Sequence, residues 1–211
     1  MKRNIAYCTT LAAAALTAAI SAQARGLAMP RWTTATSVSI NTPSLEGCPI
    51  ETTDGLSLLF ASNRPGGLGG NDIWAADRDT LASPWKEPRN LGEPVNSSAA
   101  DFCPTPVYGR SLLFVSDRAD NGSGTAPCGG GDIYLSRQSP AGGWSQPVML
   151  KCAPEGPNFP GQERSPSLVQ TWLGTFVFYS STANGTNHDI YISRKISSGS
   201  HQYYRAVFRV F

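Results

Sequence analysis

Short apolar runs alternate along most of this chain with clusters of Gly, Asn, Asp and Pro. Three of the runs read alike: Ser57-Leu-Leu-Phe60-Ala-Ser62, Ser111-Leu-Leu-Phe114-Val-Ser116 and Thr175-Phe-Val-Phe178-Tyr-Ser180. Each is followed by a Gly- or Asn-rich loop (65–71, 119–131 and 182–187) and then by a second phrase, Asp72-Ile-Trp74, Asp132-Ile-Tyr134 or Asp189-Ile-Tyr191. Runs of this length, rich in Phe, Val and Ile and bounded by turn residues, predict strands joined as hairpins. Ahead of each run stands an acidic residue shortly before a proline, in Glu46-Gly-Cys-Pro49, Asp101-Phe-Cys-Pro104 and Glu163-Arg-Ser-Pro166. A further element opens on tryptophan, in Trp85-Lys-Glu-Pro88 and Trp144-Ser-Gln-Pro147. Few stretches beyond the first 24 residues carry a helical period, so the chain is expected to be all-β.

The Asp-Ile-aromatic phrase recurs after 60 and then 57 residues. A period of this size marks a stack of similar units, none of which can bury its apolar face alone. Four short antiparallel strands per unit make a β-propeller blade. The expected fold is therefore a β-propeller with about three blades present, near 45–98, 99–158 and 159–211. Residues 25–44 form an N-terminal segment, and 31–42 is expected to hold an orphan closing strand. Three blades fall short of the four to eight of closed propellers, so an incomplete or truncated propeller is expected. After Lys195 the Trp-led strand is missing, and Tyr204, Ala206, Phe208 and Val210 alternate as an edge strand would.

The combined pattern Pro-…-Asp-Gly-…-Leu-x-Phe-x-Ser-x-Arg-…-Gly-Gly-x-Asp-Ile-Trp/Tyr resembles the WD40-like β-propeller repeat of exported bacterial proteins, the TolB type. The resemblance runs over about residues 31–195. It implies the propeller fold more firmly than any one activity, because propellers host binders and enzymes alike. The third copy departs from the pattern. Thr182 stands where Arg64 and Arg118 stand, and Ser165 replaces the cysteine of Cys48 and Cys103.

Lys2 and Arg3, the apolar stretch 5–20 and Ser21-Ala-Gln-Ala24 together read as a secretory signal peptide over 1–24, cleaved after Ala24. Export to the periplasm or the medium follows as an expectation, with no membrane span after cleavage. The formal charge of the chain is +2, and loss of Lys2 and Arg3 brings it to zero. A neutral chain has no electrostatic footprint for nucleic acid.

Four of the five cysteines lie beyond Ala24. In an oxidising compartment an even count reads as disulfides, with three pairings open. No Cys-x-x-Cys pair is present and His188 and His201 are the only histidines, so zinc is not expected. In a four-stranded meander, Cys128 and Cys152 leave the blade on the same side and are expected to pair. Cys48 and Cys103 hold matching places in adjacent blades, so their pairing is expected across the two.

Asp72, Asp132 and Asp189 recur at one position of separate units. They are expected to tie down the loops before their strands. Glu46, Asp101 and Glu163 precede the innermost strands, where symmetric positions converge, so an acidic ring able to bind a ligand is expected there. Arg64 and Arg118 join them as candidate binders, either of ligand or of these same acids. No Gly-x-Ser-x-Gly elbow, sialidase Asp-box or calcium loop occurs. The function expected is a binding module without cofactor or catalytic motif, its partner a protein or a cell-envelope glycan. The alternatives are a glycosidase or polysaccharide lyase using Glu46, Asp101 or Glu163, and a non-functional truncated fragment. Self-association through open sheet edges is also expected.

Overall fold

The structure, a computed structural model, describes residues 32–108, 110–119, 124–198 and 201–209, with the strand backbone alone from 196 onward. The chain divides into two compact units, Met1–Ser37 and Val38–Phe211. In the first, the described residues 32–37 are exposed and carry no strand. The expected signal peptide and Val210 lie outside the described residues.

All twelve strands belong to the second unit, and no helix occurs among the described residues. They form three four-stranded antiparallel sheets, each a simple meander in chain order. The first sheet contains β1 (Glu46–Glu51), β2 (Ser57–Ser62), β3 (Asp72–Asp77) and β4 (Arg89–Asn90). The second contains β5 (Asp101–Val107), β6 (Ser111–Ser116), β7 (Asp132–Arg137) and β8 (Val148–Met149). The third contains β9 (Glu163–Thr171), β10 (Gly174–Ser181), β11 (Asp189–Ser198) and β12 (His201–Arg209). No sheet closes on itself. Residues 32–45 carry no strand either, which corrects the expected closing strand. The stretch instead turns at Val38–Asn41, where Asn41 N donates to Val38 O, and Ile40 packs beside Phe60, Trp74 and Trp85.

Successive side chains of a strand face opposite ways, so each sheet has a forward face toward the next sheet and a rear face toward the previous one. Leu59, Ile73 and Ala75 on the first sheet meet Leu112, Phe114 and Tyr134 on the second. Leu113, Val115 and Ile133 on the second then meet Val177, Tyr179 and Tyr191 on the third. Both faces of the central strands are covered, so they read as continuous apolar runs rather than as alternation.

Pairing registers decide which residues are equivalent. Ser62, Ser116 and Ser181 all stand opposite the acid that opens their sheet, namely Glu46, Asp101 and Glu163. They also stand opposite Asp72, Asp132 and Asp189. The third copy is therefore displaced by one residue from the reading made on sequence. Tyr179, not Phe178, matches Phe60 and Phe114, and Ala183, not Thr182, matches Arg64 and Arg118. The serine hydroxyls confirm the register: each accepts from the amide two residues on, at Arg64, Arg118 and Ala183. A one-residue slip exchanges the two faces of a strand; burial of Val177 and Tyr179 selects this register.

The first strand of each sheet carries a register shift, and at each shift a residue with a side chain adopts left-handed backbone geometry: Cys48 (φ 50°), Cys103 (φ 49°) and Ser165 (φ 51°). Such conformations cost about 1–3 kcal/mol and persist where the surroundings impose them. The three residues form a line across the sheets. Cys48 and Cys103 are bonded with Cα atoms 4.8 Å apart, and Cys103 Sγ lies 3.7 Å from Ser165 Oγ. Cys128 and Cys152, with Cα atoms 5.6 Å apart, join the loop before β7 to the segment after β8.

Candidate functional site

The acids that open the first two sheets are held by arginines of their own repeat. Arg64 Nη2 donates to Glu46 Oε1 at 3.1 Å, and its guanidinium lies over Phe60 and Trp74. Arg118 Nη2 donates to Asp101 Oδ1 at 2.6 Å while lying over Phe114 and Tyr134. The stack is as important as the charge, because an arginine plane rests favourably on aromatic faces. Arg118 also donates to the carbonyls of Pro94 and Val95, which belong to the loop leaving the first sheet. The other oxygen of Asp101 accepts from Ser97 N and Oγ. All three guanidinium nitrogens of Arg118 and both carboxylate oxygens of Asp101 are therefore engaged inside the protein.

Glu163 is different. It is fully buried, and alanine stands where its siblings have arginine. Its Oε1 accepts from Ser181 Oγ at 2.7 Å, and Oε2 is buried without a hydrogen bond. Burial pushes its carboxyl up to about 8 from an ordinary 4.5, with the nearby Asp132 charge adding to the rise and the Ser181 hydroxyl opposing it. The carboxyl is thus neutral through most of the physiological range. Burial likewise raises Asp132 and Asp117.

The recurring aspartates sit one to a sheet. Asp72 Oδ2 accepts from Leu68 N and Asn90 Nδ2, and Asp132 Oδ2 accepts from Cys128 N at 2.8 Å. Both bind the loop that precedes their strand. Among the described residues no cluster of three or more metal-ligating side chains occurs.

Two asparagines that the sequence reading missed do comparable work. Asn96 accepts from Ile73 N and donates to Ile73 O, and Asn158 does the same at Ile133. The side-chain amide replaces a backbone partner for a buried strand. Their signal was present in the repeat, five residues ahead of Asp101 and of Glu163.

With the carboxylates committed, the open polar surface lies elsewhere. A cleft of about 650 Å³ lies against the first two sheets, at the β1–β2 and β5–β6 turns. Thr52, Asp54, Tyr108, Arg110, Gln138 and Trp144 line it. Tyr108 is 74% exposed and Arg110 is exposed at φ 56°. Asp54 is occupied by the Thr52 hydroxyl and Leu56 N, which hold its carboxyl below the usual range. Its negative charge is spent within the turn, whereas the Arg110 guanidinium donates to Pro140 O at a long 3.4 Å. An aromatic, a half-buried indole and a cation around one hollow suit recognition rather than proton transfer.

No family model matches the chain, and no curated protein matches it.

Proposed function

We propose that the chain is an exported recognition module of the β-propeller type, without catalytic activity of its own, that binds a protein or glycan of the cell envelope. The WD40-like character of its repeats supports the blade assignment, and the cysteine pairs support an oxidising compartment. The observation that carries the binding role is the cleft: Tyr108, Arg110 and Trp144 converge there, while Glu46, Asp101 and Glu163 are held by internal partners or buried. Asp101 and Glu163 are without solvent exposure and cannot meet a glycosidic bond, and the partly exposed Glu46 is held by Arg64; catalytic pairs must flank such a bond at about 5–10 Å.

Retention of the protein on envelope extract and on isolated cell-wall glycan provides the test. Binding that is lost in Arg110→Ala and Trp144→Ala, with folding intact, is the expected result. Retention on neither material, or turnover of oligosaccharides abolished by Glu46→Gln, rejects the proposal.

A further inference from the structure

Each sheet's Asp-Ile phrase places an isoleucine on its forward face. Ile73 and Ile133 are 0% exposed beneath the next sheet, but Ile190 is 58% exposed. Around Ile190 the same face of the third sheet carries Phe178 and Ile192, which are cross-strand partners, and Phe176. Val169, opposite Phe176 on β9, is 40% exposed. The rear faces of all three sheets are covered: Trp74, Tyr134 and Tyr191 are at most 6% exposed. The forward face of the third sheet is thus the one apolar sheet face left open among the described residues.

The adjoining loop tells which occupant fits. In the first two repeats a glycine pair precedes the Asp-Ile phrase and seats the following repeat. Gly70 N donates to Ala99 O at 3.1 Å and Gly130 N to Gly161 O at 2.7 Å. A Cβ on Gly69 would collide with Ala99 O, and one on Gly129 with Gly161 O. The third repeat has Thr186-Asn187 in place of the pair. A successor sheet of the sibling kind would clash there.

We propose that a second copy of this chain covers the forward face of the third sheet with the same face of its own, in a two-fold pair centred on Phe178, Ile190 and Ile192. A two-fold contact uses one patch twice and needs no matching rear face, and two such sheets pack at the usual spacing of aligned sandwiches. The patch continues the apolar stack between the other sheets. Arg194 on this face is turned onto Phe176 and donates to Leu173 O. The pairing stands independently of the recognition role, since the cleft takes only Leu168 from the third sheet, on the face of its partner Val177 and not on that of Ile190.

Sedimentation of the purified chain over a concentration series, from micromolar to hundreds of micromolar, tests the pairing. Twice the single-chain mass is expected, with Ile190→Lys weakening the dimer at least about tenfold. Leu81→Lys, at an exposed apolar residue of the connection between β3 and β4, should leave the mass unchanged. Ile190 is exposed in the single chain, so its replacement spares the fold, as an unchanged melting temperature at low concentration would verify. A single-chain mass at every concentration, or a dimer indifferent to Ile190→Lys, overturns the proposal. So does a monomer that associates only when a different envelope protein is added, which would assign the face to that protein.

Discussion

Arg118 and Ala183 occupy one position of the repeat and produce opposite electrostatics around the acid beneath them. Asp101 is fully buried against Arg118, so Arg118→Met should cost about 3–5 kcal/mol in urea unfolding, because the carboxylate is left buried and alone. Adding Asp101→Asn should restore much of that loss. At Glu163 the third repeat has dispensed with the pair, and proton uptake replaces the missing cation. Its folded pKa is raised, to about 8 from 4.5, so the native state holds the extra proton between these values. The associated stability is complete below about pH 4.5 and declines as pH rises to about 8. Unfolding measured across this window should show a loss of about 4–5 kcal/mol that Glu163→Gln removes. Asp117 and Asp132, also raised, contribute a residual slope of the same sign in the variant.

At the scale of elements, the sheets are held by ties that cross from one repeat to the next. The Asn96 amide satisfies both backbone groups of Ile73. Asn96→Ala should therefore destabilise by about 1–3 kcal/mol, since it orphans the buried Ile73 N, while Leu91 N still donates to Ile73 O. Faster exchange of the Ile73 amide would locate the damage. The cystines differ in the span they close, 55 residues for Cys48–Cys103 and 24 for Cys128–Cys152. On the loop-entropy relation, removing the first by paired serine substitution should cost about 4 kcal/mol and the second about 3.5 kcal/mol. Separate melts of the two paired variants check that order. The glycine pairs belong here as well: they permit a close backbone approach of neighbouring repeats at Gly69–Gly70 and Gly129–Gly130.

On the scale of the whole molecule, two surfaces remain after internal needs are met. One is the cleft of the first two sheets, the other the forward face of the third. Their separation predicts independent behaviour, with cleft variants altering retention on envelope material and Ile190→Lys altering mass. A variant set in which both properties fell together without loss of folding would contradict that separation.

The repeat phrase, its period and its turn residues determined the all-β class and the four-strand units, because each follows from local side-chain alternation; the cysteine pairing was one expectation among three open pairings, drawn from where a meander returns its ends. The fate of the acids was legible only as one of two options, since Arg64 and Arg118 could serve a ligand or these same acids. Register was not: the tract 175–181 is apolar on both strand faces, so local pattern could not distinguish Phe178 from Tyr179. Only burial against the second sheet resolved it, and with it the absence of a cation over Glu163. The tertiary structure alone also decided that 32–45 does not pair as a strand, and that Ile190, identical in sequence context to two buried isoleucines, faces solvent. Exposure is a property of what lies opposite, and no residue carries that in its own neighbourhood.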